Sequence, residues 1–196
     1  MEYMQVDCEK MEEIMGEIKG KAGVWFLLGN EDNNEKLICL QVAQKADIGK
    51  EIESDVQYIR ANDLKPICIK KYVNQFGEAK FDYEEWGQWR ARNLYYHIAQ
   101  NYSNLKFVCI WDDKIFDEKS YRELLEKYIA YKTKAVFWVN GRPFEDEKSD
   151  RYKKDLLEQS SNECNSIREK LVGILGKDNV TEIDDNIANY VYAMDL

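Results

Sequence analysis

Apolar residues recur along the chain in two rhythms, one of helices and one of strands. From Cys8 to Lys19 the apolar positions are Met11, Ile14, Met15 and Ile18, a helical spacing that Gly20 brings to an end. Ala22 to Leu28 is a continuous apolar run, as expected of a strand covered on both faces. The polar loop from Gly29 to Asn34 separates it from a second strand at Leu37 to Val42. The pair should form an antiparallel hairpin, because the loop leaves no room for a crossover helix. Asp47 then caps a helix whose apolar positions are Ile48, Ile52, Val56 and Ile59.

Further on, the pattern predicts a strand at Pro66 to Tyr72, a long helix over about Tyr83 to Tyr102, and a strand at Leu105 to Trp111. A helix over about Glu118 to Lys132 follows, with Tyr121, Leu124, Leu125, Tyr128 and Ile129 on one core-facing stripe. Ala135 to Val139 reads as another strand, closed by Asn140 to Pro143. Charged helices continue to about Gly176, and Val180 to Ile183 and Tyr190 to Ala193 read as short strands. The expected class is α/β (α+β), a mixed sheet flanked by helices. Residues 1–143 would form the core domain, and 144–196 a helical C-terminal extension packed on it.

Composition narrows the classes of function. Of 196 residues, 37 are acidic and 28 basic, a net charge of −9, which disfavours a generic nucleic-acid coat or a binder of anionic membranes. No apolar run approaches the roughly 20 residues that span a bilayer. The first ten residues, with Glu2, Asp7 and Glu9, do not read as a secretory signal, so a cytoplasmic protein without a membrane partner is expected. Charge is uneven: residues 1–60 carry 7 basic and 13 acidic groups, 61–143 carry 14 and 11, and 144–196 carry 7 and 13. The mildly basic middle would allow a local anion-binding face, although solvated surface is the ordinary reading.

Most common sites leave no trace. The five cysteines, Cys8, Cys39, Cys68, Cys109 and Cys164, form no C-x-x-C pair, and one histidine cannot complete a zinc cage. Cys39, Cys68 and Cys109 sit in apolar runs, as reduced core thiols do. Gly173-Ile-Leu-Gly176-Lys177 has two residues between its glycines where a P-loop needs four. On the long helix, Arg90, Asn93, His97, Gln100 and Asn101 share one polar stripe headed by Trp86. Arg90 and His97 there could bind or protonate a phosphate, and the alternative is an ordinary wet face. Glu126 lies on the flank of the helix at 118–132, where its carboxylate is either plain surface or within reach of a metal at the sheet edge.

Taken together, these segments resemble a degenerate GIY-YIG nuclease domain. Gly23-Val24-Trp25 would be its first strand and Ile38-Cys39-Leu40-Gln41 its second. Asp47 to Ile52 would start the helix that carries an arginine. Leu125-Glu126-Lys127-Tyr128-Ile129, then Asn140, would supply the metal-binding end. The resemblance covers residues 22–60 and 105–140, with 61–104 as an insertion. It implies Glu126 as ligand of a magnesium or manganese ion. Trp25 and Ile38 replace both tyrosines, and Lys50 or Glu51 stands in the arginine position, so the resemblance implies a module that has lost or rewired its nuclease chemistry.

Two functions are therefore expected. The first is a GIY-YIG-like module that binds nucleic acid or a phosphorylated ligand through its middle segment, with Glu126, Arg90 and His97 as site residues. The alternative is an acidic protein-binding module, of inhibitor or immunity type, steered by its charge toward a basic partner.

Overall fold

The computed structural model describes residues 1–31, 37–62, 94–138 and 163–190. The apolar run beginning at Ala22 becomes β2 (Gly23–Glu31), and the next becomes β3 (Ile38–Lys45), paired antiparallel as the loop length requires. β2 is also paired antiparallel with β4 (Tyr102–Trp111), and β4 with β1 (Glu2–Asp7), giving the order β1-β4-β2-β3. β2 is thus central, which explains why it is apolar at consecutive positions: both faces are covered. Gly23 is required where β2 meets β4, since a Cβ there would lie 2.2 Å from the Ile110 carbonyl oxygen.

Two cores follow from this alternation. Val24, Phe26, Leu28, Val108 and Ile110 face one side, and Trp25, Leu27, Phe107, Cys109 and Trp111 the other. The pairing of β2 with β3 slips between Leu27 and Leu28, which oppose Gln41 and Cys39. That extra residue turns Cys39 and Val42, three positions apart, to the same face.

The helix after the hairpin, α2 (Ile48–Ala61), covers the Trp25 side with Ile48, Ile52 and Val56. Asp47 caps it as expected, accepting from the Lys50 N–H, and its Oδ1 also accepts from the Gly20 N–H, both at 2.9 Å. That bond ties α2 to the turn after α1 (Met15–Ile18). The approach is close enough that a Cβ on Gly49 would stand 2.7 Å from Lys19 Cα. A helix over residues 94–101 (α3) adds Tyr95 and Ile98 to the same core.

The opposite face is covered by α4 (Lys119–Thr133), a helix over residues 163–175 (α5) and α6 (Lys177–Tyr190). Leu125, Tyr128 and Ile129 join Ile167, Leu171, Leu175, Val180, Ile183 and Ile187 in that core. Asp184 binds these helices together, accepting from Tyr128 and Lys132 of α4 and from Arg168 of α5. The α/β class holds, and the four described strands pair only antiparallel. Among the described residues no helix is long and apolar enough to cross a membrane.

Several elements differ from expectation. β1 was not predicted, because its acidic and half-exposed residues mask the alternation of an edge strand. The helix expected over Cys8 to Lys19 breaks at Ile14 into a 3₁₀ turn (Cys8–Glu13) and α1. Val180 to Ile183 is helical: with Ile187 these residues keep a helical period that a four-residue window cannot reveal. Residues 135–138 form no strand. They strap the edge of β3 with two backbone bonds, Val136 N–H to Cys39 O at 3.0 Å and Phe137 N–H to Leu40 O at 2.8 Å. Tyr121, expected in the core, is 36% exposed. The strand at Pro66 to Tyr72 and the start of the long helix lie outside the described residues, as do residues 191–193.

Candidate functional site

The edge of β3 is where the candidate chemistry gathers. Trp25 projects from β2 toward the first turn of α2, and its indole N–H donates to Glu51 Oε2 at 3.2 Å. Lys45, at the end of β3, pairs with Glu51 Oε1 at 2.9 Å. Across the edge, Glu126 on α4 accepts from the Trp138 indole N–H at 2.8 Å. Trp138 belongs to the strap, whose two aromatic residues part company: Phe137 packs in the Trp25 core and Trp138 in the other.

Glu126 is half-buried, and burial pushes its carboxyl up to about 7 against the usual 4.5. The indole bond opposes that shift, the charges of Glu51 and Glu123 add to it, and Lys119 opposes it. Lys119 is itself paired with Glu123 at 2.8 Å. Glu126 is therefore not the exposed flank residue that is one of the two alternatives read from sequence.

His97 sits on a different helix from Glu126. It lies exposed on α3, with its ring 5.5 Å from that of Phe137, edge to face, and the Asn101 amide nitrogen 3.3 Å from its Nδ1. Arg90, Asn140, Trp86, Lys70 and Lys71 fall outside the described residues. Of the positions that carry the nuclease resemblance, Trp25 is hydrogen-bonded to Glu51, which with Lys50 is a candidate for the arginine position. The charge of Glu51 acts on Glu126, while Ile38 is a core residue with no polar group to offer. Glu126 would supply the one carboxylate of the magnesium or manganese site that the resemblance implies. No group of three or more His, Cys, Asp or Glu able to hold a metal ion occurs among the described residues.

Three buried thiols, Cys8, Cys39 and Cys109, sit where the thiolate is disfavoured. Burial pushes Cys39 and Cys109 up to about 12 and Cys8 up to about 11, far from the thiolate range that nucleophilic chemistry needs.

Two functional groups escaped the sequence reading. Arg122, only 6% exposed, donates through Nε to Gln44 Oε1 at 3.1 Å and through a terminal nitrogen to the carbonyls of Phe116 and Asp117. Asp55 is 5% exposed and sits against Tyr95. Both had a signal: Arg122 precedes Leu125 and Ile129 at core spacing, and Asp55 follows Ile52 at the same spacing.

No known family, curated protein or solved structure matches the chain.

Proposed function

We propose that this chain is a non-hydrolysing binding module with a GIY-YIG-like arrangement, and that its partner is a basic protein surface. The observation that carries the reading is the Trp25–Glu51–Lys45 cluster beside Glu126. Nuclease chemistry there would need a phenol to orient water and a guanidinium to hold the scissile phosphate. An indole donates a hydrogen bond but takes no proton, and a carboxylate in the guanidinium's place repels phosphate. The exposed acidic groups Glu9, Glu13 and Glu17 around the first turns add to a surface that attracts cations, while Glu12 is paired with Arg60. An inhibitor of immunity type, acting in the cytoplasm, fits this chemistry.

The experiment sets this reading against nucleic-acid binding through the basic middle segment. Labelled single- and double-stranded oligonucleotides are titrated at low salt with the wild type and Arg90→Glu, and cleavage is assayed with magnesium and manganese. The expected result is no cleavage, and either no binding or binding indifferent to the charge reversal. Salt-sensitive binding lost in Arg90→Glu, or cleavage abolished by Glu126→Ala, would overturn the proposal in favour of a nucleic-acid module. Cross-linking in cell extract supplies the positive arm. A captured basic protein should be lost when Glu9, Glu13 and Glu17 are changed to lysine.

A further inference from the structure

Asp55 is a charged residue type in the middle of an apolar helix face, and nothing in the proposed binding chemistry uses it. It lies on α2 between Ile52 and Val56, both buried, and is itself 5% exposed. α3 brings Tyr95, 3% exposed, against it, and the two side chains are hydrogen-bonded. The other carboxyl oxygen, Oδ2, is buried without a hydrogen-bond partner. A carboxylate so placed would have one hydrogen bond for a full charge, whereas the neutral acid leaves a single O–H unmet.

The surroundings favour the neutral form. Burial pushes the Asp55 carboxyl well above the usual range, and Glu51, one turn earlier on α2, pushes it further. The Tyr95 hydrogen bond and Lys45 at the end of β3 oppose the shift. Burial and the same two carboxyls raise Tyr95 as well, so its phenol keeps its proton. These are the titratable and charged groups that act on Asp55 among the described residues. A second contact between the two helices does not titrate: Gln100 on α3 donates to Asn62 Oδ1, at the end of α2, at 2.6 Å.

We propose that the Asp55–Tyr95 pair is a pH-sensitive latch between α2 and α3, closed on the neutral acid and loosened when Asp55 ionises. The direction follows from linkage. Once α3 lifts off, Asp55 meets water and ionises near its usual 3.8. The opening constant therefore rises about tenfold for each pH unit above about 4, until the closed pair itself ionises. The latch is tight in acid and looser toward neutral pH. It acts at the entry to β4, because α3 runs directly into that strand. This inference is independent of the identity of the partner.

Amide hydrogen exchange of residues 95–100, corrected for the intrinsic pH dependence of exchange, reads the latch between pH 4 and 7. The α4 amides serve as the reference for opening of the whole domain. Protection of α3 relative to α4 should fall above about pH 4 in the wild type, by about tenfold per pH unit for as long as the closed pair keeps its proton. It should stay flat in Asp55→Asn, which keeps the shape and the hydrogen bond to Tyr95. Flat protection in the wild type, or a slope that survives Asp55→Asn, would overturn the proposal. The carboxyl carbon shift of Asp55 in the unaltered protein gives a readout that no variant can confound. It should still report the neutral acid at pH 5, and ionisation near 4 would overturn the latch.

Discussion

Glu126→Gln should stabilise the protein at neutral and alkaline pH and leave it unchanged in acid. In the folded chain the carboxyl holds its proton up to about pH 7, and in the unfolded chain it loses it near 4.5. Between those values the folded state binds the extra proton, so stability falls as pH rises and the loss is complete above 7. The span of about 2.5 pH units corresponds to about 3 kcal/mol at most, and water reaching a half-buried group reduces this to about 1–2 kcal/mol. Glutamine cannot ionise, and its Oε1 can still accept from the Trp138 indole. For a chain of this length each kcal/mol moves the melting temperature by about 2–4 °C, so Glu126→Gln should melt about 2–8 °C higher at pH 8. Thermal melts of both proteins at pH 4.5, 6 and 8 test this. A constant difference across pH, or a less stable variant at pH 8, would refute the argument that Glu126 is held protonated by its surroundings.

Two further predictions concern backbone approach and buried charge. Gly23→Ala and Gly49→Ala should each cost about 1–3 kcal/mol in urea denaturation, because the new methyl meets backbone atoms of Ile110 and Lys19 that cannot step aside. Arg122→Ala should cost about 2–4 kcal/mol by the same measurement, since it leaves the Phe116 and Asp117 carbonyls and Gln44 without their donor. An unchanged midpoint in any of these variants would show the corresponding contact to be dispensable.

The hairpin, α2, β4 and α4 were legible in the sequence because each carries its own local signature. The hairpin shows two apolar runs around a polar loop, and α2 has an aspartate cap before an apolar stripe. The strap at 135–138 has no such signature. Its composition is that of a strand, and only the position of the β3 edge decides that two backbone bonds form there and no ladder. β1 is equally silent, since its strand character comes from the neighbour it finds in β4, far along the chain.

The same division between local and non-local explains the site. Glu126 could be picked out on its helix, but its proton affinity is set chiefly by burial, which the bond from Trp138, twelve residues on, opposes and the charge of Glu51 on another helix reinforces. Trp25 and Glu51 could each be named as departures from the nuclease pattern, yet the hydrogen bond between them comes from packing α2 on the sheet. That bond changes what the departures mean. Read one at a time the two residues look unrelated, but in the fold the Trp25 indole donates to the Glu51 carboxylate. A lysine from the end of β3 completes the cluster. Trp25, Glu51 and Lys45 satisfy one another, and in doing so they hold the hairpin and α2 together. Under the proposed function a partner would therefore be recognised by the charge spread over the surface, on the exposed acidic turns.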